Sequence, residues 1–91
     1  MLIVTEPATE HLTLMLKRAR RAEGQVIRLA VDAYGNVNLV LDVVRQGDQV
    51  IPHHGEHVMV VEPPISEKFS GIALDVVWNG HGRELTLHRA A

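Results

Sequence analysis

The sequence contains no cysteine, and its aromatic residues are a single Trp, a single Tyr and a single Phe. The absence of cysteine excludes a disulfide framework, a thiolate nucleophile, a cysteine-ligated zinc ion and an all-cysteine iron–sulfur cluster. The scarcity of aromatic rings also argues against a nucleic-acid surface, which commonly stacks bases on such side chains. Several large classes of function are therefore closed to this chain.

Charge and hydrophobic patterning exclude further classes. The formal net charge of −2 gives no field that would attract a nucleic acid or a membrane surface. The longest aliphatic run, Val58–Val61, is far shorter than the ~20 residues of a membrane-spanning helix. The N-terminus has no basic region followed by an apolar stretch, so we expect no signal peptide. These features predict a soluble, cytoplasmic protein with no nucleic-acid or membrane partner.

The central segment, Val26–Val44, has the pattern of a β-hairpin. Apolar residues recur at every second position on both sides of a short polar stretch, which is the period of a half-buried strand. Asp32, Gly35 and Asn36 in that stretch are turn-forming residues, and Tyr34 lies between them. We expect the 91 residues to form one domain, residues 1–91, organised around this hairpin.

The remaining elements are one helix and several short strands. Thr5 can cap a helix running from about Pro7 to Ala22, with Gly24 as its stop signal. Strands are predicted at Leu2–Val4, Val50–Ile51, His57–Glu62, Ile72–Trp78 and around Leu85–Leu87, with one helical turn near Ile65–Phe69. The predicted fold class is α+β: a small, mainly antiparallel sheet or sandwich of about seven short strands with one N-terminal helix.

One cluster of residues has metal-binding chemistry. His53, His54, Glu56 and His57 combine imidazoles with a carboxylate, a set that suits zinc, nickel or copper. The same residues, with Gly55 among them, also suit an ordinary exposed turn that interrupts a strand from Pro52 to Glu56. A histidine-based metal-binding protein using His53, His54 and His57 is kept as the alternative function.

Other polar residues give weaker indications. Four cations near the end of the predicted helix could bind nucleic acid, but a solvated helix face explains them better; they are Lys17, Arg18, Arg20 and Arg21. Candidates for acid–base or nucleophilic chemistry are Asp32, Asp42, Asp75, His81, His88, Ser66 and Ser70. They form no recognisable nucleophile–base pattern, so no enzyme is predicted and no catalytic, cofactor-binding or metal residue is assigned. A small enzyme or ligand-binding domain with a cleft hidden from the sequence remains a third hypothesis.

The order of the elements resembles that of the A-type iron–sulfur carriers, the HesB-like family. Six stretches carry the resemblance across nearly the whole chain. They are Ile3–Ala8, Glu10–Leu12, Val26–Val31, Leu39–Asp42, His57–Pro63 and Phe69–Val77. The resemblance implies a HesB-like fold with the central hairpin at its ligand loop.

The chain departs from this family at its cluster ligands. The family has one cysteine in the loop after the second strand and a Cys-x-Cys pair in a C-terminal tail. By the resemblance Tyr34 occupies the loop position here, and we expect no Cys-x-Cys pair after Leu85–His88. A phenol is a poor substitute for a thiolate at neutral pH. We therefore expect no bound cluster and no other cofactor.

What the resemblance still implies is a protein-binding scaffold. Cysteine-less A-type domains occur fused to other iron–sulfur carriers, where they are thought to help recognise client proteins. By that resemblance the chain is a degenerate, non-catalytic accessory or protein-interaction factor related to iron–sulfur cluster assembly. Its expected partners are assembly factors or clients, and a homodimer is left open.

Overall fold

Residues 1–90, which the computed structural model describes, form seven strands and two helices. In chain order they are β1 (Ile3–Val4), α1 (Glu6–Arg18), β2 (Gln25–Val31), β3 (Val37–Val43), β4 (Gln49–His53), β5 (Glu56–Val61), α2 (Pro63–Lys68), β6 (Ile72–Asn79) and β7 (Gly82–Arg89). No helix within these residues is long and apolar enough to cross a membrane.

The strands make two sheets, ordered β1-β6-β7 and β3-β2-β5-β4. Three hairpins supply the antiparallel pairs, which are β2–β3, β4–β5 and β6–β7. Two parallel pairs, β1–β6 and β2–β5, connect strands distant in the chain. The predicted mainly antiparallel α+β fold with seven short strands is confirmed.

Helix α1 begins as predicted but ends earlier. The Thr5 hydroxyl accepts a hydrogen bond from the Ala8 N–H at 3.3 Å, which makes Thr5 the N-cap. The helix stops at Ala19, whose backbone is extended, so the predicted end at Ala22 is wrong. The residues beyond Arg18 offer no large apolar side chain that would continue the buried face of Leu12 and Leu16, and tertiary burial rather than propensity sustains most short helices.

The core lies where α1 packs against both sheets. Its fully buried members include Leu12 from the helix, Leu29 from β2 and Met59 from β5, with Leu74 of β6 nearly as buried. All four residues of the run Val58–Val61 are buried, so this strand is covered on both faces. The second face of the sheet must therefore have its own cover.

That cover is the connection between β3 and β4. These two strands occupy opposite edges of their sheet, so residues 44–48 have to cross one of its faces. Arg28 lies on that face, because its neighbours Ile27 and Leu29 point into the core and side chains alternate along a strand. Although it is charged, Arg28 is only 6% exposed. The crossing segment thus buries a guanidinium against the sheet.

Two carboxylates neutralise the buried guanidinium. Its Nε donates to Asp42 Oδ2 at 2.8 Å, and its two terminal nitrogens donate to the Asp48 carboxylate at 3.1 and 2.7 Å. One of them also donates to the Val43 carbonyl oxygen at 3.0 Å. Hydrogen bonding to Asp48 is the main factor that raises the pKa of Arg28, and the reciprocal bond lowers the pKa of Asp48. Arg28 ties both ends of the crossing segment to β2.

The β4–β5 hairpin corrects the predicted interruption at Pro52–Glu56. Strand β4 continues through Pro52 to His53, and only His54 and Gly55 separate it from β5. The pairing register shifts between Ile51 and Pro52, and β4 is an edge strand. A proline lacks the N–H that a central strand needs, but an edge strand at a register shift tolerates it.

We predict that Asp48→Ala destabilises the fold by about 3 kcal/mol, because it leaves Arg28 buried with one of its two carboxylates removed. Arg45→Ala is the matched control. Arg45 pairs with Asp42 at 3.0 Å from an exposed position, so its loss should cost less than about 1 kcal/mol. Urea unfolding followed by circular dichroism measures both free energies of unfolding. Equal effects of the two substitutions would show that the buried network does not hold the crossing segment.

Candidate functional site

The turn between β2 and β3 is the first candidate, since the resemblance locates a cluster ligand there. The Asp32 carboxylate closes this turn. Its Oδ1 accepts hydrogen bonds from the backbone N–H groups of Tyr34 at 2.8 Å and Asn36 at 2.9 Å. Its Oδ2 accepts from the Asn36 side-chain amide at 3.1 Å. The bond from the Asn36 N–H is the largest factor lowering the pKa of Asp32.

Tyr34 projects from this turn into solvent, with 91% of its surface exposed. Gly35 adopts a positive φ of 85°, which lets the chain reverse direction there. Iron–sulfur clusters are held mainly by cysteine thiolates, and histidine replaces two of them in Rieske centres. The turn offers a phenol, an amide and a carboxylate that is already bonded to the turn itself. These residues do not fit a cluster.

The histidine-rich hairpin does not assemble a metal site. His53 ends β4, His54 and Gly55 form the turn with φ values of 50° and 81°, and His57 lies on β5. The rings of His53 and His54 meet edge to face, with centroids 4.2 Å apart. No group of three histidine, aspartate or glutamate side chains within residues 1–90 is arranged to hold a metal ion. The geometry therefore gives no support to the alternative hypothesis.

The four basic residues do not share a helix face. Lys17 and Arg18 lie in the last turn of α1, whereas Arg20 and Arg21 follow the helix outside any helix or strand. Arg21 donates to the backbone carbonyl of Gln25 at 2.6 Å, which ties that segment to the start of β2. All four are exposed. A solvated surface accounts for them.

Two of the acid–base candidates do meet, in a cluster that joins the two ends of the chain. Asp75 Oδ2 lies 3.1 Å from His88 Nε2, and the Thr5 hydroxyl donates to Asp75 Oδ1 at 2.7 Å. The carboxylate stands between the hydroxyl and the imidazole, so the hydroxyl is not placed against a base. Thr5 also caps α1. The cluster connects the helix start, β6 and β7, and its arrangement is structural.

Hairpin register would have revealed this pair. Asp75 is opposite Thr86 across β6 and β7, so His88 is its diagonal neighbour on the same face. The same diagonal relation joins Arg28 and Asp42 across β2 and β3, where Arg28 is opposite Val40. Sequence reasoning considered these side chains one at a time and therefore missed both contacts.

The other candidates have local structural roles. The buried Ser66 hydroxyl donates to the Gln49 side-chain oxygen at 2.6 Å, and Gln49 in turn bonds the backbone of Leu2. The His81 backbone N–H donates to the Asn79 side chain at 2.7 Å and shapes the last hairpin turn. Ser70 is exposed after α2. These positions bring no nucleophile to a base.

The Asp75–His88 contact predicts a pH dependence of stability. The Arg89 carbonyl and then Asp75 raise the pKa of His88 above its ordinary value near 6.5. A raised pKa in the folded state means that the protonated form stabilises the fold, so this contribution is fully present below about pH 6.5 and is lost as the pH rises through the raised value. His88→Gln should reduce the fall in stability between about pH 5.5 and pH 8.

His81→Gln is the matched control, because the bond that His81 makes comes from its backbone and survives the substitution. Urea unfolding at each pH supplies the comparison. An unchanged pH dependence in His88→Gln, or an equal change in both variants, would contradict the assigned role of the pair.

Solved structures with the same fold include proteins of iron–sulfur metabolism. Escherichia coli SufA, which is involved in the biosynthesis of iron–sulfur clusters, matches 97% of this chain and 84% of its own, with 23% identity and a TM-score of 0.65. IscA, in a crystal structure with a [2Fe–2S] cluster, matches 98% of this chain and 85% of its own, with 19% identity and a TM-score of 0.60.

A third match is a protein from Aquifex aeolicus, covering 97% of this chain and 90% of its own with 22% identity and a TM-score of 0.63. No family model matches the sequence, and no curated protein matches it either. At these identities the likeness is one of fold. The resemblance to A-type iron–sulfur carriers is thus confirmed at the level of the fold: the chain has the HesB-like α+β architecture of SufA and IscA, without a cysteine.

Proposed function

We propose that this protein is a non-catalytic accessory or protein-interaction factor related to iron–sulfur cluster assembly, and that it does not itself bind a cluster. The observation that carries the proposal is the combination of the SufA and IscA fold with the complete loss of cysteine. A scaffold that has the strands and helix of this fold but no cluster-ligating cysteines can still act through its surface. With this role we expect a cytoplasmic location.

The closed turn at Tyr34 supports the first half of this proposal. Asp32 satisfies the backbone N–H groups of the turn from within, and the resulting loop presents a phenol to solvent. A cluster site needs several ligands, mostly soft thiolates, that converge on the iron atoms. The turn supplies no thiolate.

Exposed aromatic residues support the second half. Trp78, at the end of β6, is 76% exposed, and the Arg83 guanidinium lies 5.5 Å from its ring centre. That distance is within the range of a cation–π contact, which orders the ring before any partner arrives. Tyr34 is exposed on another hairpin. Trp, Tyr and Arg are the residues that most often dominate the binding energy of protein interfaces.

Anaerobic reconstitution with iron and sulfide tests cluster binding. We expect this protein to remain colourless after desalting, because no thiolate is available, while E. coli SufA treated in parallel serves as the reference for successful reconstitution. Absorbance in the visible region and iron analysis give the readout. A stable brown species with bound iron would overturn the proposal.

Quantitative affinity capture tests the partner. The wild-type protein and Trp78→Ala are used as baits in extracts of the source cells, and captured proteins are quantified by mass spectrometry. We expect iron–sulfur assembly factors or client proteins with the wild type, reduced about tenfold or more with Trp78→Ala. Val77→Ala, a change at an adjacent exposed residue that faces the other side of β6, is the control. Captures without iron–sulfur proteins would contradict the proposed process.

A further inference from the structure

The two sheets leave an apolar seam between their outer strands, β3 and β7. Helix α1 makes its main contacts with β2, β4, β5 and β6, so it packs over the middle of the core and not over these two strands. Four leucines on the inner faces of β3 and β7 pack against the core but keep part of their surface in solvent. They are Leu39, Leu41, Leu85 and Leu87.

Two adjoining clefts occupy this seam, and together we call them the seam groove. The larger, of about 270 Å³, lies between the sheets, with the deeply buried Leu29 and Leu74 at its base and Leu39 and Leu87 in its walls. The smaller, of about 170 Å³, lies between β3 and the end of α1 and includes Leu39 and Met15. The clefts adjoin because Leu39 lines both.

The lining of the seam groove is suited to hydrocarbon. Among its residues only Thr86 has a side chain that forms conventional hydrogen bonds, and none has an aromatic ring. A polar ligand would lose its hydrogen bonds to water there and find almost no replacement. An aliphatic ligand would gain from the same removal of apolar surface from water. The part of a ligand that enters the groove is therefore aliphatic.

The size of the two clefts favours a thin chain. Each is smaller than the pocket that usually holds a drug-sized ligand, which has about 300–1,000 Å³. A flexible linear chain can pass Leu39 and occupy both clefts in succession, whereas a bulky fused ring system would exceed either one. The groove thus fits an unbranched hydrocarbon chain.

A free cation stands at the α1 end of the groove. Arg18 lies three positions after Met15 and directly before Ala19, so the three residues share one side of the helix end. Met15 and Ala19 line the groove, whereas Arg18 is exposed and forms no ion pair within residues 1–90. Lys17 and Arg20 flank the same position, and residues 15–21 include no acidic side chain. This end of the groove favours an anion.

We propose that the seam groove binds a linear aliphatic carboxylate, a medium-chain fatty acid, with its chain along Leu39 between β3 and β7 and its carboxylate on Arg18. A guanidinium can hold a carboxylate through two parallel hydrogen bonds. The Asp42 carboxylate is already paired with Arg28 and Arg45, so it does not compete for Arg18. This inference is independent of the proposed function, because it requires neither a partner protein nor a cluster.

A chain-length and head-group series tests the ligand class. The isotope-labelled full chain is titrated with octanoate, nonanoate and decanoate below their micellar concentrations, and NMR shifts supply the Kd values. Each added methylene should tighten binding by up to about fourfold, because it buries more apolar surface. The shifts should centre on Leu39 and Leu87 and spare β4. Decyltrimethylammonium, which has the same chain length and the opposite charge, should bind about tenfold more weakly than decanoate.

Two pairs of variants test the location. Leu39→Phe fills the junction of the clefts and should weaken decanoate binding about tenfold, whereas Val43→Phe, at an exposed position of the same strand outside the lining, should leave it unchanged. Arg18→Glu should also weaken decanoate binding about tenfold. Lys68→Glu makes the same charge change at an exposed position of α2 and should have no effect. Circular dichroism checks each fold, and the Arg18 pair decides if Leu39→Phe does not fold.

Several outcomes would overturn the proposal. They are the lack of saturable decanoate binding, affinities that do not change with chain length, equal affinity for the two head groups, and equal effects within either pair of folded variants. Groove signals that shift with protein concentration and not with decanoate would show that a second copy covers the groove, which would overturn the proposal as well.

Discussion

The buried guanidinium of Arg28 is the contact on which the four-stranded sheet depends. The strand order β3-β2-β5-β4 separates two consecutive strands to opposite edges, and only a segment crossing the sheet can join them. Arg28 holds that segment through Asp48, whose side chain is almost fully buried, and through Asp42 near the end of β3. Buried ion pairs often add little net stability, because desolvation offsets their attraction. Here the pair selects one path for the chain, and the apolar residues Val26 and Val60 are covered as a result.

Sequence patterns predict well those features that depend on residues close together in the chain. Strand positions followed from period-two alternation, because this signal depends on residues near each other in the chain. The end of α1 did not follow, since the helix stops where its buried stripe runs out and not at the glycine beyond it. The continuation of β4 through Pro52 was hidden as well, because an edge position decides whether proline is tolerated there.

Side-chain clusters were less accessible than elements. Arg28 alternates with the core residues Ile27 and Leu29, and nothing local in the sequence shows that residues 44–48 return to cover it. Asp75 and His88 are diagonal neighbours only once the turn at Asn79–Gly82 sets the register of β6 against β7. Thr5 reaches Asp75 from 70 residues away, through the parallel pairing of β1 with β6. Contacts of this kind depend on sheet order, which a single sequence specifies weakly.

The β2–β3 hairpin lacks a cluster ligand at its turn and presents an exposed edge along β3. At its turn, the Asp32 carboxylate already accepts hydrogen bonds from the Tyr34 and Asn36 N–H groups, and the turn has no thiolate to offer a cluster. Along β3, the outer strand, the backbone groups of Leu39 and Leu41 face away from β2, and Val40 is exposed between them. Exposed backbone groups at a strand edge are a template for pairing with a strand of another protein. This hairpin is therefore better suited to contact with another protein than to the cluster binding that its fold suggests.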